Sequence, residues 1–79
     1  MPTVLRIKGY RFYFFSNEGV EPKHIHIEKA DACGKMWLVP SVEVEYFYGF
    51  TAKEQKAVKK IVSENLELLI NAWDEYFEK

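Results

Sequence analysis

Cysteine occurs once in these 79 residues, at Cys33, so no disulfide can close within the chain. No Cys/His array of zinc-finger spacing replaces one. Glycine and proline are scarce, four and three residues, and no internal repeat, linker or low-complexity tract is present. No apolar run approaches the roughly 20 residues of a membrane span. Nor does an apolar segment precede a cleavage-like site near Met1, so the expected location is the cytoplasm. A strong excess of one charge is also missing. Residues 1–60 carry ten Lys/Arg against seven Asp/Glu, residues 61–79 one lysine against five acids, and the whole sums to −1. That balance lacks the basic excess usual in nucleic-acid binders.

What the chain has instead is aromatic bulk, 16% Phe, Trp and Tyr. A single domain of this size, residues 1–79, must bury most of its large side chains to be stable. The rings therefore build an aromatic core or supply a surface for a second copy or a partner.

The order of elements follows from periodicity and turn chemistry. Thr3 to Ile7 is β-rich, Lys8-Gly9 reads as a short hairpin connection, and Tyr10 to Phe15 suits a strand packed on both faces. Ser16-Asn17-Glu18-Gly19 is turn chemistry, prolonged by Pro22. Lys23 to Lys29 alternates, with His24, His26 and Glu28 on one face and Ile25 and Ile27 on the other. Asp31-Ala32-Cys33-Gly34 reads as a loop and Lys35 to Val39 as the returning strand. Ser41 to Tyr48 alternates like a strand, with a helical turn or two as the alternative. Thr51-Ala52-Lys53-Glu54 is a capping box. From Val58 through Ile61, Val62, Leu66, Leu69, Ala72 and Trp73 to Tyr76 or Phe77, apolar residues recur at three- and four-residue spacing, predicting one amphipathic helix of about seven turns. The expected fold is α+β: four or five short, mainly antiparallel strands packed against one long C-terminal helix.

Chemistry concentrates at His24-Ile25-His26. Residues i and i+2 of a strand share a face with Cα atoms about 6.6 Å apart. With the isoleucines taking the buried side, both imidazoles are expected on the accessible one. Two imidazoles there can hold a cation, but Glu28 lies about 13 Å along the strand from His24, so a third ligand must come from elsewhere, Glu43 or Glu45 for example. Alternatively, one neutral and one protonated imidazole can take a ribose 2′-OH proton and protonate the leaving 5′ oxygen without metal or cofactor, with Arg11 or Lys23 stabilising the developing charge. The plainer reading makes both histidines half-exposed strand residues bonded to a neighbouring carboxylate or lying at an interface.

The remaining features favour plain readings. Lys53, Lys56, Lys59 and Lys60 form a basic patch on the first half of the helix, a solvated face before it is a phosphate site. Trp37 and Trp73 read as core or interface anchors rather than base-stacking platforms. Cys33 reads as incidental.

A resemblance runs over nearly the whole chain. It is carried by Met1-Pro2-Thr3-Val4-Leu5-Arg6, Gly9-Tyr10-Arg11-Phe12-Tyr13-Phe14, Ser16-Asn17-Glu18, Pro22-Lys23-His24-Ile25-His26-Ile27, Lys35-Met36-Trp37-Leu38, Gly49-Phe50 and Ala72-Trp73. These stretches resemble the small prokaryotic proteins grouped as domain of unknown function 4160, with Ser-Asn-Glu and Pro-x-His-x-His the most specific. The resemblance implies a neighbouring gene encoding a second small protein and a toxin–antitoxin setting, and it assigns no catalytic residue. The leading expectation is thus a protein-interaction module of a two-gene system, acting as a homodimer or with a small protein partner and away from membranes. A metal-independent endoribonuclease acting on RNA with His24, His26, Arg11 and Lys23 comes second, and a metal-binding protein using His24 and His26 third.

Overall fold

A computed structural model describes residues 3–15 and 20–77. Five strands form one antiparallel meander in the order β1-β2-β3-β4-β5: β1 is Thr3–Ile7, β2 Tyr10–Tyr13, β3 His24–Lys29, β4 Ala32–Trp37 and β5 Glu43–Tyr48. Two helices follow, α1 over Ala52–Glu64 and α2 over Leu66–Phe77. The expected α+β class therefore holds, and Ser41 to Tyr48 resolves in favour of the strand. The turn expected at Ser16-Asn17-Glu18-Gly19 lies outside the described residues.

Local chemistry sets the connections. Lys8 (φ 53°) and Gly9 (φ 86°) both occupy the left-handed region between the paired Ile7 and Tyr10. This two-residue turn has the twist that antiparallel strands need. The second hairpin is tighter than the sequence suggests. Lys29 pairs with Ala32, so only Ala30 and Asp31 form the loop, and Cys33 and Gly34 belong to β4. The expectation of a loop over Asp31–Gly34 is corrected by packing. Gly34 is a contact glycine, since a Cβ there would meet the Phe47 ring at 2.5 Å and the Tyr46 carbonyl at 3.0 Å.

Strand register sorts the side chains into two faces. The rung Leu5–Phe12–Ile27–Gly34–Phe47 crosses all five strands on the helix side. With Ile25 and Met36 it packs against Val58, Ile61 and Val62 of α1 and Leu69 and Trp73 of α2 in one core. The opposite face carries the rung Thr3–Tyr13–His26–Lys35–Tyr46.

The single long helix of the sequence reading is interrupted at Asn65. The Asn65 amide N–H is shared between the Ile61 and Val62 carbonyls, and its side-chain Nδ2 also donates to the Ile61 carbonyl at 2.8 Å. Side-chain competition for an i−4 carbonyl bends helices. One i→i−4 bond still links the two helices across the break, from Leu69 N–H to Asn65 O. At the start of α1 the capping box is complete: Glu54 N–H donates to Thr51 Oγ1 at 3.1 Å and Thr51 N–H to Glu54 Oε1 at 2.9 Å.

Two measurements test these determinants. Gly34→Ala should lower stability by about 1–3 kcal/mol, the usual cost of overpacking; denaturation matching the parent would show that the Phe47 contact is dispensable. The backbone hydrogen bond from Thr51, aided by the Thr51 hydroxyl and Lys29, holds the Glu54 carboxyl below its ordinary pKa. A depressed folded pKa stabilises above the unfolded value and is lost as pH falls through the folded one. The parent should therefore exceed Glu54→Gln in Tm at neutral pH, with the gap closing below about pH 4.3, the ordinary glutamate value. A gap independent of pH would refute the charge contribution.

Candidate functional site

Strand alternation does set His24 and His26 opposite Ile25 and Ile27, but that side is not open. His24 is 0% exposed and His26 6%, which corrects the expectation that both imidazoles lie on an accessible surface. The cover comes from other elements. His26 stacks on Tyr13 at 5.5 Å between ring centroids and meets the Phe15 ring edge-on at 4.7 Å. His24 meets Trp37 of β4 at 5.4 Å and Trp73 of α2 at 5.0 Å. The two imidazoles touch edge to face at 5.2 Å. Both serve as ring-packing units in an aromatic cluster that joins β2, β3, β4 and α2.

A buried imidazole needs a partner for its polar atoms. His24 Nδ1 lies 2.8 Å from the Pro22 carbonyl. Because that oxygen can only accept, Nδ1 carries the proton, and in the neutral ring Nε2 is the acceptor. The Glu21 carboxylate stands 3.9 Å from the same Nδ1 and binds Lys35 Nζ at 3.0 Å. Lys35 in turn lies over the Trp37 ring at 4.4 Å, so the rim of the cluster consists of cations set on aromatic faces.

The proposed helpers of the histidines are committed elsewhere. Arg11 donates to Glu28 Oε1 at 2.7 Å and to Thr3 Oγ1 at 2.8 Å, and lies over the Tyr13 ring at 4.4 Å. Burial, followed by the negative charge of Glu28, raises the Tyr13 phenol above its ordinary pKa, so it stays neutral beside His26. Lys23 follows His24's neighbour Pro22 in sequence, but its ammonium pairs with Asp74 of α2 at 2.6 Å. The structure therefore gathers His24 and His26 into contact, sets Arg11 one ring away beyond Tyr13, and turns Lys23 toward the helix.

No group of three or more His, Cys, Asp or Glu side chains able to hold a metal occurs among the described residues. A groove of about 1160 Å³ between β1 and α2 is lined by Val4, Phe14, Leu68, Ala72 and Tyr76 among others and by neither histidine. Exposed apolar and aromatic side chains lie on α2, where Leu68 and Tyr76 are 46% and 40% exposed, and on β5, where Val44, Tyr46 and Tyr48 are 39%, 44% and 71% exposed. Sequence reasoning passed over these three, although their position in the last strand before a helix was a usable signal for a sheet edge.

A family model described as domain of unknown function (DUF4160) matches residues 9–74, most of the chain. No curated protein and no solved structure matches.

If the histidines are packing units, truncation should behave as core loss. His24→Ala should cost about 2–4 kcal/mol, the range for emptying a large buried site, whereas Tyr48→Ala on the exposed edge should stay within about 0.5 kcal/mol. Equal losses in urea denaturation would contradict this assignment.

Proposed function

The chain belongs to the DUF4160 family, whose description assigns no activity, and on that premise we propose that it is a protein-interaction module of a two-protein, toxin–antitoxin-like system. The observation that carries this reading is β5. It is six residues long, pairs only with β4 among the described residues, and projects Val44, Tyr46 and Tyr48 into solvent. An edge strand offers a row of main-chain donors and acceptors to an incoming strand. Tyrosines add large contact area at low conformational cost and are enriched at interfaces. Glu43 and Glu45, both exposed on the same strand, oppose pairing between two copies of this edge and favour a partner strand bearing lysine or arginine.

The endoribonuclease reading, with His24 and His26 as acid–base pair and Arg11 and Lys23 assisting, is the weaker one. A general acid or base must come within hydrogen-bond reach of its proton, and rings that are 0% and 6% exposed present almost no surface to a ribose phosphate. A metal held by His24 and His26 meets the same obstacle and needs further ligands.

Co-expression with the product of the neighbouring gene tests the proposal. The tagged chain should retain that protein through purification, and Tyr46→Ser/Tyr48→Ser should lose it by at least about tenfold in affinity, the scale of removing one interface anchor, while keeping the parent's circular dichroism. Undiminished binding by the folded double variant would remove β5 as the contact. Growth arrest and RNA cleavage on expressing the parent, abolished in a folded His24→Phe/His26→Phe variant, would transfer the assignment to the ribonuclease.

A further inference from the structure

The outer surface of the helical segment is bipolar. Lys53, Lys56 and Lys60 recur at helical spacing on α1, and Glu64, Glu67 and Glu75 continue the same line through the end of α1 and along α2. All six are exposed. None of the three lysines has an ion-pair partner among the described residues. Residues three and four apart lie one above another on a helix, and i→i−4 bonding continues through Asn65 from Ile61 to Leu69. The stripe is therefore nearly continuous.

We infer that this stripe is a self-association surface, on which the helices of a second copy of the chain lie antiparallel. A two-fold axis near Glu64 places Lys53 of each copy opposite Glu75 of the other and Lys60 opposite Glu67. The stripe is then complementary to itself, as a two-fold contact between identical surfaces requires. Leu68, 46% exposed beside the stripe, falls under the aliphatic stem of Lys60 from the second copy, which adds apolar burial to the charge pairs. Exposed ion pairs are individually weak and screened by salt, so the dimer is salt-sensitive. The two Glu64 side chains meet at the axis and repel each other, which limits its affinity. This contact uses none of the residues of the β5 edge.

Sedimentation of the full chain at low and high salt tests the inference. The parent should dimerise at low salt and dissociate as salt rises. Lys53→Glu/Lys60→Glu, whose stripe is acidic except at Lys56, and Glu67→Lys/Glu75→Lys, whose stripe is basic except at Glu64, should each be monomeric, and their equimolar mixture should recover a dimer. Glu64→Gln should tighten the parent dimer severalfold. A parent that is monomeric at low salt would overturn the inference, as would charge-reversed variants whose folded mixture stays monomeric. A dimer indifferent to both reversals but lost in Tyr46→Ser/Tyr48→Ser would move self-association to β5 and overturn it equally.

Discussion

β3 is the middle strand of five, and it is buried on both faces along His24 to Ile27. On one side Ile25 and Ile27 enter the core beneath the helices. On the other, no second sheet occurs among the described residues, and the strand is covered by rings. Trp37 comes from the adjacent strand, Tyr13 and Phe15 from the other neighbour and its extension, and Trp73 from α2. Trp73 also packs on Phe14 and Phe77, so the contact that shields His24 fastens the last helix to the sheet. A small domain stabilises itself by raising the fraction of surface it buries. Here rings serve on both sides of the sheet, with Tyr10, Phe12, Phe14 and Phe50 in the core and Tyr13, Phe15 and Trp37 around the two histidines.

Imidazole suits this position better than an aliphatic side chain would. It stacks like an aromatic ring, while its buried Nδ1–H finds an acceptor in the Pro22 carbonyl at the entry to β3, which spares the ring the cost of an unmet donor. The His-x-His pattern that suggests catalysis or metal binding on a bare strand thus has a sufficient structural cause. The cations nearby are held in the same way. Arg11 sits between Glu28 and the Tyr13 face, and Lys35 between Glu21 and the Trp37 face, which leaves little freedom to follow charge developing on a substrate.

The parts legible from sequence were those governed by local rules. Lys8-Gly9 announced its hairpin because two adjacent residues must take positive φ, and Thr51 to Glu54 announced the start of α1 because both halves of the capping box lie within four residues. Alternation correctly separated His24 and His26 from Ile25 and Ile27. It could not say what lies above each face, because Trp37 and Trp73 arrive from elements 13 and 49 residues downstream of His24. Gly34 was misread for a related reason. A glycine after Asp31 looks like turn chemistry, whereas its role depends on Phe47 crossing over it from β5. The interruption at Asn65 was hidden because apolar periodicity passes through it unbroken. The candidate site was thus legible in its residues and not in their burial.

Separating the histidines from the exposed surfaces changes what the molecule can assemble. The features that remain open belong to different elements: the β5 edge with its tyrosines and glutamates, and the bipolar stripe along α1 and α2. Contacts through elements so divided do not compete for the same residues. A two-fold dimer joined along the helices would still present both β5 edges, and each could receive one strand of a partner. If both proposed contacts form, the smallest assembly that satisfies both surfaces would hold two copies of this chain and two of a partner. Acidic residues on β5 discourage that edge from closing on itself, while the segregation of lysine to α1 and glutamate to α2 makes the helical stripe the surface on which two identical chains are complementary.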